Sequence, residues 1–305
     1  MNVDLNGVLI PAVTPFDPVT GDVDLVAMRA NVRAWLETGV LGVVIGGSTG
    51  EAVFLDREER RALLAAARDV IPGDRLLVAG TGAESTRATL ALTRDAAEAG
   101  ADTVLVMPPA FYRGAMTPEV LRAHYGAVAD ASPVPLILYQ VPLRFSTLDL
   151  PTGLVAELSR HENVVGIKDS RGDLELVGAL VEQCADDFRV LVGNGALLYA
   201  SLELGAVGGV LGVANLAPAE TAALVRAFGD GDAPGAGRLQ EIVGPVHKEV
   251  VAALGVPGVK AGLDLLGLHG GAPRPPLRPL PDAERGTVEA TLERAGLLAG
   301  KGAGA

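Results

Sequence analysis

A (β/α)8 barrel with a C-terminal helical extension is the fold predicted by three observations on this 305-residue chain. Short apolar runs recur eight times, centred near Ile10, Val43, Leu77, Val104, Ile137, Ile167, Leu191 and Val210. Helix-length amphipathic segments separate them. The first run leads into Thr14-Pro15-Phe16-Asp17 rather than the phosphate-binding glycine fingerprint that a doubly wound sheet would usually carry. Nearly continuous Val, Ile, Leu and Gly suits parallel strands covered on both faces, and strands alternating with helices close into a barrel.

The elements follow in order. Arg57–Val70, Ser85–Ala99 and Thr117–Ala129 read as helices between strands. Asp56 and Glu59 have the spacing of a capping box, and Thr117 stands before Pro118 at a first helical position. The barrel is assigned to residues 1–215 and the extension, packed on it, to 216–305. Within the extension Pro218–Phe228, Ala236–Leu254, Pro257–Leu268 and Pro281–Leu298 read as helices. The stretch Pro273-Arg274-Pro275-Pro276-Leu277-Arg278-Pro279 reads as a stiff polyproline-like spacer, and Gly300–Ala305 as a disordered tail.

Composition bounds the function. With 49% hydrophobic and 20% charged residues the chain can bury a large core. A net charge of −12 without a basic block argues against nucleic acid as a partner. Cys184 is the only cysteine, and His124, His161, His247 and His269 show no metal-ligand spacing, so they read as surface or packing residues. Met1-Asn2-Val3-Asp4 lacks a signal peptide's basic region, and the apolar stretch Leu204–Val213 is too short to span a bilayer. No membrane partner and a reducing, cytoplasmic setting are expected.

In a barrel, residues just past the C-terminal ends of the strands converge on one face. That test selects Gly46-Gly47-Ser48-Thr49-Gly50-Glu51, Tyr139 with Gln140-Val141-Pro142 and Arg144, Lys168-Asp169-Ser170, and Gly193-Asn194. Lys168 follows the apolar Val164-Val165-Gly166-Ile167. A lysine so placed either snorkels out or ends in a poorly solvated pocket, where desolvation disfavours the ammonium and frees the amine to attack a carbonyl. Ser48 and Thr49 either form a plain turn or offer hydroxyls and N–H groups to an anion. Tyr139 is either a packed aromatic or a proton carrier. Arg144 suits a substrate carboxylate or a structural ion pair.

Three motifs carry a family resemblance: Gly47-Ser48-Thr49-Gly50-Glu51, Leu138-Tyr139-Gln140-Val141-Pro142 and Gly166-Ile167-Lys168-Asp169-Ser170. In order and spacing they resemble the dihydrodipicolinate synthase / N-acetylneuraminate lyase family of class I aldolases, from about Gly7 to Leu298. Ala83-Glu84-Ser85-Thr86, Tyr112-Arg113-Gly114 and Leu204-Gly205-Ala206-Val207-Gly208-Gly209-Val210 bring the likeness nearest to 4-hydroxy-2-oxoglutarate aldolase. The resemblance implies that Lys168 forms a Schiff base with pyruvate or another 2-oxo acid, Tyr139 shuttles protons, and Ser48 and Thr49 hold the pyruvyl carboxylate. Gly47, Arg144, Ser170, Asn194, Val210 and Tyr112 complete the expected substrate contacts. An aldehyde is the second reactant, no metal or organic cofactor is implied, and a homo-oligomer, tetramer or dimer, is expected.

Two positions depart from the family. Phe111 stands where a tyrosine commonly reaches a neighbouring subunit's site. Either Tyr112 substitutes, or the relay shortens to Ser48, Tyr139 and water. Phe145-Ser146 replaces the Thr-Gly that usually follows Arg144. The leading expectation is an aldolase acting on a 4-hydroxy-2-oxo acid; the alternatives are a synthase condensing pyruvate with an aldehyde, or a 2-oxo-acid-binding protein without turnover.

Overall fold

A computed structural model describes residues 3–298, so the tail expected to be disordered lies outside the described residues. Eight parallel strands close a barrel: β1 (Gly7–Pro11), β2 (Gly42–Ile45), β3 (Leu76–Gly80), β4 (Thr103–Val106), β5 (Leu136–Gln140), β6 (Val164–Asp169), β7 (Arg189–Val192) and β8 (Gly208–Val210). Closure runs through the register Leu9↔Val210 between β1 and β8. Around the barrel lie α1 (Leu25–Leu36), α2 (Arg57–Arg68), α3 (Thr86–Glu98), α4 (Pro118–Ala131), α5 (Thr152–Leu158), α6 (Leu174–Gln183), α7 (Leu198–Glu203) and α8 (Pro218–Gly229). The Asp56–Glu59 capping box forms in both directions, and Thr117 caps α4 with Pro118 in its first turn.

Because strand side chains alternate, each strand feeds two cores. Leu9, Val44, Val78, Leu105, Ile137 and Leu191 fill the lumen. Val8, Ile10, Val43, Leu77, Leu136 and Ile167 pack outward against the helices. The same alternation governs β6, where Ile167 faces out and Lys168 pairs in register with the inward-facing Tyr139 and Leu191. Lys168 is thereby placed in the lumen at the strand's C-terminal end.

The helix Pro218–Gly229, expected in the extension, is the barrel's own eighth helix and packs on β1. The extension then comprises α9 (Ala233–Val246), a π-helical segment (His247–Ala252), α10 (Ala253–Leu265) and α11 (Asp282–Arg294). Separate helices Ala236–Leu254 and Pro257–Leu268 were expected, and the helical run, which starts at Ala233, does break between them, at Gly255 (φ 63°). Pro257 lacks an N–H to continue the ladder, and glycine tolerates the positive φ. By length and composition, Ala233–Leu265 is long and apolar enough to cross a membrane. The bend at Gly255 and the packing of this run against α8, α11 and the turn after β8 make it a core element of the fold.

The proline-rich connector is more than a spacer. Arg274 donates to both carboxylate oxygens of Glu59 (2.6 and 2.8 Å) and to the carbonyls of Phe54 and Gly21, and lies over the Phe16 ring. Nor is it a continuous polyproline strand: the Pro275–Pro276 peptide is cis, and the Leu277 N–H donates to the Arg274 carbonyl at 3.2 Å, closing a turn.

Candidate active site

Lys168 opens into a cavity of about 290 Å³ whose lining includes Ser48, Thr49, Tyr139, Arg144, Ser170, Asn194 and Val210. Seven of the candidate residues thus converge with Lys168 on one space. Lys168 is only 6% exposed, and its Nζ lies 4.2 Å from the centroid of the Tyr139 ring, itself 4% exposed. Tyr139 OH is 3.5 Å from Ser48 Oγ, at the outer limit of a hydrogen bond. Amine, phenol and hydroxyl therefore form one row. Gly193 keeps the row open, since a Cβ there would fall 1.9 Å from Ser170 Oγ and 3.2 Å from Lys168 Cε.

Two candidates stand elsewhere. Gly47 lines an adjoining, more apolar cavity of about 450 Å³ that shares Ser48, Tyr139 and Arg144 with the first. Its carbonyl accepts from the N–H groups of Gly50 and Ala52, so it shapes the turn rather than touching the Lys168 cavity. Tyr112 is 73% exposed on a surface loop beside Phe111, 79% exposed, with the two rings edge to face at 5.1 Å. Within one chain Tyr112 does not enter the Lys168 cavity, because the β4–α4 loop carries it outward.

The extension supplies a wall of the site. His247, Val251, Ala252, Gly255, Val256 and Val259 all line the cavity. Among the described residues Arg144 makes no ion pair; its guanidinium donates to the carbonyls of Val251 (3.2 Å) and Ala252 (2.9 Å). Those carbonyls belong to the π segment, whose altered bonding leaves acceptors for an outside donor.

His247, read from sequence as a surface or packing residue, is buried at this wall. Its Nδ1 accepts the Gly195 N–H at 3.3 Å, so the neutral ring carries its proton on Nε2. Burial, with the positive charges of Arg144 and Lys248, pushes its pKa down to about 4. Asp169, beside Lys168 but facing away from the lumen, behaves oppositely. Burial pushes its pKa up to about 6, against the lowering effects of the Arg171 N–H and guanidinium. Among the described residues no cluster of His, Cys, Asp and Glu suits a metal ion.

A further cluster sits behind the Ser48–Thr49 turn. Glu51 pairs with Lys260 of α10 at 2.6 Å, with both side chains 1% exposed. Glu51 was legible only as part of a motif; Lys260 left a faint signal, a lone charge within the apolar run Gly258–Leu263. Nothing in the sequence singled out His247.

Known proteins match this arrangement. The dihydrodipicolinate synthetase family profile matches residues 4–295. A 4-hydroxy-tetrahydrodipicolinate synthase from Parasynechococcus marenigrum is 38% identical over 286 residues, 93% of each chain. A probable mitochondrial 4-hydroxy-2-oxoglutarate aldolase from Emericella nidulans is 34% identical over 274 residues, 88% of each. Among solved structures, YagE, a prophage protein of the dihydrodipicolinic acid synthase family from E. coli K12 in complex with pyruvate, superposes with a TM-score of 0.90 at 26% identity. That match covers 97% of this chain and 100% of the other. Barrel, inward amine and these relatives together define a class I, pyruvate-dependent aldolase or lyase. The chain belongs to the dihydrodipicolinate synthetase family.

Proposed function

We propose that this enzyme cleaves or forms a 4-hydroxy-2-oxo acid such as 4-hydroxy-2-oxoglutarate, giving pyruvate and an aldehyde through a Schiff base on Lys168. The observation that carries the reading is the row of Lys168 Nζ, the Tyr139 ring at 4.2 Å and Ser48 Oγ at 3.5 Å from the phenol. In the cleavage direction the amine of Lys168 attacks the C2 carbonyl, and Tyr139 gives its proton to the departing hydroxyl, so that water leaves and an iminium remains beside a phenolate able to take up the next proton. The iminium accepts the electron pair of the breaking C3–C4 bond, so an enamine forms in place of a bare carbanion. The C4 hydroxyl proton passes to Tyr139 as the aldehyde departs. The phenol returns a proton to C3 through Ser48 or water, and hydrolysis of the resulting imine releases pyruvate.

Ser48 and Thr49 hold the 2-oxo acid carboxylate in this reading, with Ser170, Asn194 and Val210 shaping the pocket around C3 and C4. Covalent attachment to Lys168 is the only cofactor-like element. Pyruvate as the 2-oxo acid is supported by the pyruvate complex of the structurally similar YagE. A reducing, cytoplasmic setting and self-association belong to the same proposal. Exposed Phe111, Tyr112, Leu143 and Phe145 support self-association.

A second reading, synthase-type condensation of pyruvate with an aldehyde, is favoured by the synthase names of several relatives at 32–38% identity. Against it, Phe145-Ser146 alters the loop after Arg144, and the Arg144 guanidinium is engaged by the π-segment carbonyls. Treatment with pyruvate and borohydride, followed by intact mass and peptide mapping, tests the shared step. An adduct on Lys168, lost in Lys168→Ala, is expected; an adduct elsewhere, or none, removes both readings. A panel of aldehydes with pyruvate, with product identification, then separates them.

A further inference from the structure

We propose that the buried Glu51–Lys260 pair is a positioning device that sets the Ser48–Thr49 turn for the 2-oxo acid carboxylate; this rests on the reading of that turn given above. Glu51 is the one non-glycine residue with positive φ among the described residues (φ 58°, ψ 32°). A left-handed glutamate is held only where its surroundings over-determine it, and such strain gathers at functional sites.

The turn is tightly determined. Gly50 N–H donates to the Gly47 carbonyl at 3.0 Å and Glu51 N–H to the Ser48 carbonyl at 3.2 Å. Thr14 Oγ1 donates to the Gly50 carbonyl at 2.7 Å, and a Cβ on Gly50 would lie 2.8 Å from the Ala12 carbonyl. From the far side, Glu51 Oε2 accepts the Arg274 N–H at 2.8 Å while Oε1 meets Lys260 Nζ. Lys260 also donates to the Ala272 carbonyl at 2.9 Å and lies over the Phe16 ring. One carboxylate thus joins the β2–α2 turn, α10 and the connector, two residues from Thr49.

Stability alone does not account for such a pair. Desolvation of both ions offsets most of their attraction, so a well-packed apolar replacement is often neutral or stabilising, whereas removing one partner strands the other charge. Fixed geometry remains as the benefit, and the geometry being fixed is that of the hydroxyl turn.

The experiment uses full-length Glu51→Gln, Lys260→Met and the double variant, with Thr49→Val as reference. Melting temperature is read beside the half-saturating pyruvate concentration for borohydride-trapped adduct and the trapping rate at saturation. Each single variant is expected to lose melting temperature, and the double variant to regain most of it. The double variant should keep a half-saturation raised about tenfold or more, the scale of one hydrogen bond to a charged group, with the saturated rate little changed. Melting temperature and half-saturation recovering together, or an unchanged half-saturation, would overturn the proposal.

Should the double variant not fold, Lys260→Met assayed well below its melting temperature decides by the same criterion. An insensitive Thr49→Val removes the carboxylate reading and the proposal with it. A sensitive Thr49→Val beside a double variant with normal half-saturation removes only the positioning role.

Discussion

Replacing His247 by glutamine should make the protein less sensitive to acid, and replacing Asp169 by asparagine should make it more so. His247 titrates at about 4 in the fold against 6.5 in the unfolded chain. Its depressed value means the unfolded state takes up the proton first, so stability is fully present above pH 6.5 and is lost as pH falls toward 4. Between pH 7 and 4 that loss amounts to about 3 kcal/mol, and the imidazole is buried enough for solvent screening to be minor. Asp169 has the opposite sign, because its folded value of about 6 exceeds the unfolded 3.8. Its contribution is fully present below 3.8 and is lost as pH rises through about 6, so acidification from pH 7 to 4 gains about 2 kcal/mol.

The two groups largely cancel in the wild type and are unmasked one at a time by mutation. Urea unfolding of wild type, His247→Gln, Asp169→Asn and the double variant at half-unit steps from pH 7 to 4 gives four profiles. Constant effects of each substitution drop out when every profile is referenced to its own value at pH 7. His247→Gln should then lie about 3 kcal/mol above wild type at pH 4, Asp169→Asn about 2 kcal/mol below, and the double variant near wild type. Parallel profiles would show that neither group is buried as the structure has it. A reversed order would refute the sign of the argument.

Tyr139→Phe keeps the ring that covers Lys168, so the borohydride adduct should still form while single-turnover cleavage falls by at least about 10²-fold, the usual contribution of a general acid–base group. Thr49→Val, at a half-buried turn, should weaken pyruvate capture with little change in melting temperature; a large thermal loss with normal capture would make the turn structural. Arg144→Ala should leave adduct formation intact and change the aldehyde preference, because its contacts lie at the cavity rim; equal losses for every aldehyde would assign it to the π segment alone. Tyr112→Phe should change cleavage little, given its surface position; a loss matching Tyr139→Phe would mean that the phenol completes the site of another chain.

Period and polarity along the chain were enough to specify the barrel. Eight buried parallel strands need near-continuous apolar runs, and the helices between them announce their starts through Asp56, Glu59, Thr117 and Pro118. Lys168, Tyr139, Ser48 and Thr49 were legible for a related reason: polar residues at the ends of such runs have one face of a closed barrel to occupy. Residues whose role depends on distant partners were not legible. Glu51 and Lys260 stand 209 positions apart, and only packing of α10 against the β2–α2 turn makes them a pair. His247 lies in a helix of ordinary composition, and its burial and tautomer come from the Gly195 N–H brought to it by the β7 loop. The outward course of the loop that carries Tyr112 was not legible either, since nothing local shows whether a loop turns toward the lumen or away from it. Local sequence determines which way each strand and helix faces, because that depends on a repeat of two or about 3.6 residues. The tertiary structure alone decided which charges are desolvated and which donors meet, because those depend on surfaces contributed by chain segments tens to hundreds of residues apart.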